Sequence, residues 1–142
     1  MSELAAIAGA VVTALNEGEF SQPFTAQRLY RPAFDLEEMK DLHVSVVPRG
    51  VEVTPEARGK AAYDYKVDVG VQKRLEKCDA NELDPLMQLV EEIADFFRLK
   101  RLTEYSAAAW LKTEYAPVFA PEHLDQLRQF TGVVTFTFRV VR

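Results

Sequence analysis

The polar and apolar positions of this chain change period several times along its length. Leu4, Ile7, Ala8, Val11, Val12 and Leu15 recur at helical spacing. Ser2 is placed to cap such a helix and Gly18 to stop it. A helix over 3–17 is expected, with Glu3, Ala6, Thr13 and Asn16 on its outer side. The clearest strand follows at 61–75. Tyr63, Tyr65, Val67, Val69 and Val71 fall on one face, and Asp64, Lys66, Asp68, Gly70 and Gln72 on the other. Alternation of this length means one buried and one wet face, as in an antiparallel sheet.

The clearest helix is expected over 83–102. Leu86, Leu89, Val90, Ile93, Ala94 and Phe97 form one stripe, while Glu91, Glu92, Asp95 and Arg98 lie largely off it. Asp84 is suited to cap this helix and Pro85 to occupy its first position. Arg98, Lys100 and Arg101 sit where the helix dipole favours cations.

Weaker signals fill the rest. Residues 24–31 read as a strand ended by Pro32, and residues 35–42 as a helical turn or loop capped by Asp35. Residues 43–60 read as two short strands around Pro48, Arg49 and Gly50, with loop composition over 54–60 and a mobile tip at Arg58, Gly59 and Lys60. Between 106 and 119, alanines favour helix and the later Trp, Thr, Tyr and Pro favour strand. A strand is expected over 108–115. Residues 121–130 hold one helical turn after Pro121, and a final strand covers 131–141. The expected order is α, β, β, β, β, α, β, β. Two apolar helix stripes need cover, so the fold class is α+β, a mainly antiparallel sheet with two amphipathic helices on one face.

Composition narrows the function. The 142 residues suggest one domain, long enough to bury a core without staples. The net charge of −5 argues against a nucleic-acid binder, which needs a basic face. With a single cysteine, Cys78, no internal disulfide forms and a reducing compartment fits. No stretch approaches the roughly 18 apolar residues of a membrane span. Residues 4–15 are apolar, but Glu3 precedes them and no basic segment does, so a secretory signal is not expected and a cytoplasmic protein is the simplest reading.

Candidate chemistry is sparse. There is no Gly-rich phosphate loop, no His-Glu-x-x-His and no Cys-x-x-Cys. His43 stands at a strand start and His123 in a loop, and the ordinary reading of each is a surface or satisfied histidine. Cys78 has Arg74 and Lys77 nearby but no identifiable base, so an inert thiol is favoured. Asp79 and Asn81 match the first two oxygen positions of a calcium loop, but Leu83 takes the third and no glycine follows. Glu91, Glu92 and Asp95 read as a solvated helix face. No catalytic, cofactor or metal residue is assigned, and no enzyme is expected.

The order of the pieces carries a resemblance. "RLYRPAFDLEEMKDLHVSVVP", then "YDYKVDVGVQK", "DPLMQLVEEIADFF" and "LRQFTGVVTFTFR" resemble the tail terminator, or tail completion, proteins of long-tailed bacteriophages and prophages, over nearly the whole chain. The resemblance is one of element pattern, with no catalytic signature. It implies a ring of identical subunits, commonly six, that caps the head-proximal end of the tail tube, stops its polymerisation and presents a surface to head connector proteins. The expected location is the virion tail, assembled in the host cytoplasm, with no cofactor, no membrane and no specific nucleic acid as partner. A ring needs head-to-tail contacts. The long, charged segment "VPRGVEVTPEARGK" offers one, with Arg49, Glu52, Arg58 and Lys60 as candidate interface residues and the three cations meeting a neighbour's acids. The closing strand is expected inside the sheet, paired with 61–75 or 108–115, or else at the subunit contact. Competing readings are a head-completion or neck connector protein, and a small non-enzymatic protein-binding module.

Overall fold

The structure is a computed structural model and describes residues 2–30 and 41–142. The chain folds as α1 (Glu3–Glu17), β1 (Ala26–Arg28), β2 (His43–Ala57), β3 (Lys60–Arg74), α2 (Ala80–Phe96), β4 (Ala109–Glu114), α3 (Pro121–Leu127) and β5 (Gln129–Val141). The strands form one sheet in the order β1-β2-β3-β5-β4. All pairings are antiparallel except β1 with β2, which is parallel. The class is therefore α+β, but the sheet is mixed and the described residues form three helices.

The closing strand lies inside the sheet. β5 pairs with β3 along its whole length and with β4 on its other side. Arg142 and Ala61 exchange both backbone hydrogen bonds, so the pairing runs to the last residue given. The face of β3 that bears Tyr65, Val67, Val69 and Val71 is buried with Val44 and Val46 of β2 and Val134, Phe136 and Phe138 of β5. Ile7, Val11 and Leu15 of α1 cover its β2 side. Leu86, Leu89, Val90 and Ile93 of α2 cover its β5 side. Phe97, just past α2, meets Phe136 edge-on at a centroid distance of 4.9 Å and Phe138 at 5.8 Å. Aromatic pairs of this geometry add to area burial.

Several local expectations change. α2 starts four residues before Asp84. Asp79 caps it, accepting from the Glu82 N–H. The Glu82 carboxylate turns back onto the N–H groups of Glu76, Lys77 and Cys78. That reciprocal arrangement is a capping box displaced outward by one turn. It outweighs the Asp84-Pro85 signal, and Pro85 lies inside the helix. The helix ends at Phe96, where Leu99 takes φ 60. Gly18 ends α1 in extended conformation, φ −76 and ψ 161. Its value is space. A Cβ there would stand 2.8 Å from Phe20 and 2.9 Å from Phe96.

Residues 43–57 are one strand, not two. The register shifts between Pro48 and Gly50 and again between Pro55 and Ala57, and pairing with β3 continues through both. Proline is tolerated because, among the described residues, β2 past Val46 has no strand on its outer side, where an amide needs no ladder partner. Only Arg58 and Gly59 remain as the turn, with Gly59 at φ 78. The early strand shrinks to Ala26–Arg28, tied to α1 by Asn16, whose side chain bonds both polar groups of the Ala26 backbone. Asn16 is thus a tether as well as an outer residue. The expected ending at Pro32 and cap at Asp35 fall outside the described residues.

Candidate assembly surface

The face of the sheet opposite α1 and α2 is polar. Reading straight across it, His43, Gln72 and Thr131 form one row on β2, β3 and β5, and Ser45, Gly70 and Val133 the next. His123 lies in α3 rather than a loop, and its Nδ1 is 2.9 Å from Thr131 Oγ1. The fold therefore brings both histidines to one end of this face. Ser45 and Gln72 are buried there, and the Ser45 Oγ and Gln72 Oε1 have no hydrogen-bond partner among the described residues. Cys78 is packed against the hydrophobic core instead. It takes φ 54 immediately before the α2 cap.

Charged pairs dominate the other half of the face. Arg139 on β5 grips Asp64 on β3 through two hydrogen bonds. Thr135 donates to Asp68, and Arg49 donates to Thr135 at 3.2 Å and stands 3.6 Å from Asp68. Of the four expected interface residues, Arg49 is thus engaged by its own sheet. Glu52 lies opposite Asp64 at the open side of β2, and Arg58 and Lys60 are exposed at and beside the hairpin turn. Of the α2 acids, Glu91 and Asp95 are exposed as expected, and Glu92 is engaged. Glu92 accepts from the Ser21 N–H at 2.8 Å and from Gln88 at 3.1 Å, holding the segment after α1 against α2.

The most distinctive surface is apolar, and sequence reading passed over it. Val51 and Val53 are 45% and 53% exposed, although they alternate like core residues. They belong to the same face as Tyr65 and Tyr63, their partners on β3. Beyond Val46, β2 has no strand on its outer side among the described residues. The signal available in the sequence was the pair Pro48 and Pro55, which mark the stretch from 48 on as lacking a second strand partner. The far side of the sheet carries a cleft of about 350 Å³ between Arg101, Trp110, Leu111, Arg139 and Val141. Leu111 and Val141 are 38% and 45% exposed.

Where α1 meets the hairpin, Glu3 pairs with Arg142 at 2.9 Å, and the Arg142 guanidinium stands 4.1 Å from the centre of the Tyr63 ring. Burial pushes the Tyr65 hydroxyl up from its ordinary value, opposed by its hydrogen bond with Arg142. The hydrogen bond with Glu3 raises Tyr105 in the same way. These contacts lie at the part of β3 next to the hairpin turn. Among the described residues, no helix is long and apolar enough to cross a membrane, and no three His, Cys, Asp or Glu side chains are grouped to hold a metal ion.

No family model matches the chain, and no curated protein matches it. Among solved structures, the chain is similar to the sheath/tube terminator, in its extended state, of PVC, an extracellular contractile injection system. The identity is 15% and the TM-score 0.49, over 100% of this chain and 57% of that one. The chain thus spans a little over half the length of that protein.

Proposed function

We propose that the protein is a structural subunit of a phage-type tail, assembling as a ring that caps the head-proximal end of the tail tube and ends its polymerisation. Its work is geometric and adhesive, and no reaction is catalysed. The observation that carries the reading is the exposed strip of Val51 and Val53 on a sheet edge that is open among the described residues. Exposed β-branched residues beside an uncovered strand are an association surface and a hazard to a free monomer. The sequence resemblance supplies the kind of assembly, a ring of commonly six subunits. Its partners are then further copies of itself, the tail tube protein and the head connector proteins, and its place is the virion tail. Arg58 and Lys60 at the hairpin turn reach a neighbour's carboxylates.

Electron microscopy of tail tubes grown with and without the protein tests this reading. The expected result is tubes of limited length, each with extra density at one end. Tubes that keep growing uncapped, with the protein bound instead to the connector side, favour the neck reading.

A further inference from the structure

α2 is followed by a cationic run that the rest of the fold leaves in solvent. Arg98, Leu99, Lys100 and Arg101 are all exposed, and none of the three cations joins an ion pair among the described residues. Lys100 holds its ammonium 4.8 Å from the centre of the Phe96 ring, and the Arg101 guanidinium donates to the Ser106 carbonyl. Leu99 stands among them at 78% exposure, well above Val51 and Val53. It does so at φ 60, a conformation that disfavours leucine and that helix ends ordinarily give to glycine. Exposure and backbone conformation both oppose leucine there, so the fold itself supplies no reason for it. Strain kept at an exposed residue points to a contact outside the chain.

The run is also a ridge between two clefts. On one side a cleft of about 260 Å³ opens between the ends of α1 and α2, over Ala14, Phe96 and Phe97. On the other lies the cleft of about 350 Å³ beside Trp110, Leu111 and Val141. Arg101 walls both, and Glu17 is the one carboxylate among their described lining residues.

We propose that this ridge docks an acidic segment of a different protein. Leu99 is the apolar anchor, the partner's apolar side chains enter the flanking clefts, and its carboxylates meet Arg98, Lys100 and Arg101. Charge decides the class of partner. The chain carries −5 overall, so an acidic protein is repelled by most of the surface and oriented by the one place where cations stand unpaired. Three cations are too few for a nucleic-acid backbone, which calls for a basic stripe along many phosphates. Apolar cleft floors suit side chains better than phosphate. The surface is complete on a single copy, so the proposal goes beyond the ring reading and does not rest on it.

Isothermal titration of the full chain tests this with four probes: a glutamate-rich peptide bearing leucines, an all-glutamate peptide of equal length, single-stranded oligothymidylate, and vesicles of phosphatidylcholine with phosphatidylglycerol. The leucine-bearing acidic peptide should bind most tightly, and added salt should weaken it. Leu99→Gly should weaken that binding about fivefold or more, as for an apolar anchor at a contact. Its melting midpoint should be no lower than that of wild type, because glycine takes φ 60 freely. Leu99→Met should bind as wild type, and Arg101→Gln should weaken binding and its salt dependence together. No binding of the leucine-bearing peptide, or unchanged binding by Leu99→Gly, overturns the proposal. Tighter binding of the oligonucleotide or the vesicles overturns the assignment to an acidic protein. In sedimentation velocity Leu99→Gly should keep the oligomeric state of wild type. A changed state makes the ridge a contact between copies of the chain and likewise overturns the proposal.

Discussion

Arg139 on β5 holds Asp64 on β3 with two prongs, Nε to Oδ1 at 2.8 Å and Nη2 to Oδ2 at 3.0 Å. The pair is asymmetric. The Asp64 side chain is 12% exposed and that of Arg139 34%. Removing the arginine strands the better-buried charge, and an unpaired charge costs more the less water reaches it. Arg139→Ala should therefore lower the melting midpoint more than Asp64→Ala. Arg139→Lys should fall between wild type and alanine, because an ammonium keeps the charge and loses the fork. Equal losses for the two alanine variants would refute this ordering.

The cap of α2 gives a second test. Asp79→Ala should cost about 1 kcal/mol in urea unfolding, the usual loss of an N-cap side chain. Asp84→Ala, on the exposed surface of the helix, should stay within about 0.5 kcal/mol. The reverse result would move the helix start to Asp84.

The same cap responds to acid. Its hydrogen bonds with the Glu76 and Lys77 N–H groups hold Glu82 below the ordinary glutamate value of 4.5. A depressed carboxyl contributes stability that is fully present above its unfolded value and is lost as pH falls through the lower folded one. Amide exchange at residues 76–78 should therefore quicken selectively below the ordinary glutamate range. Glu82→Gln should remove most of that pH dependence. Selective protection loss near neutral pH would contradict the assignment.

Ser45 and Gly70 are paired neighbours on the polar face, and a Cβ on Gly70 would stand 3.0 Å from the Ser45 hydroxyl. That hydroxyl has no partner among the described residues. Ser45→Ala should be neutral or stabilising by about 1 kcal/mol, since a buried hydroxyl without a hydrogen bond gains nothing from folding. Gly70→Ala should destabilise the wild type and do so less in the Ser45→Ala background. Residues in contact do not act additively. Additive losses would contradict the contact.

The hairpin turn can be tested apart from stability. Reversing Arg58 and Lys60 together to glutamate should weaken assembly and leave the melting midpoint within a degree or two of wild type. Surface changes away from partners rarely shift folding. Assembly at wild-type strength would reject their role at the contact.

Periodic elements were legible because one face of each is buried along its length. The α1 stripe and the alternation of β3 are read directly from residues such as Ile7, Val11, Val67 and Val69. β5 betrayed its place by combining long alternation with Phe136 and Phe138. The errors lie where two signals compete locally. Asp79 with Glu82 and Asp84 with Pro85 are both good helix starts, and only the backbone N–H groups of 76–78 decide between them. Pro48 reads as a break, yet an edge strand absorbs it in a register shift. The parallel pairing of Ala26 with Val44 and the grip of Arg139 on Asp64 are long-range facts with no local signature. The surface proposed for assembly was only partly legible. Glu52, Arg58 and Lys60 were named for their charge, whereas Val51 and Val53 alternate in the same way whether or not anything covers them.

Native mass spectrometry across protein concentration and salt tests the central claim most directly. The account predicts a closed ring, commonly of six copies and with no open-ended ladder of larger species, since head-to-tail contacts whose rotation closes form rings. A stable dimer under every condition would contradict it, because a dimer pairs one patch with itself and leaves no second edge to continue the ring.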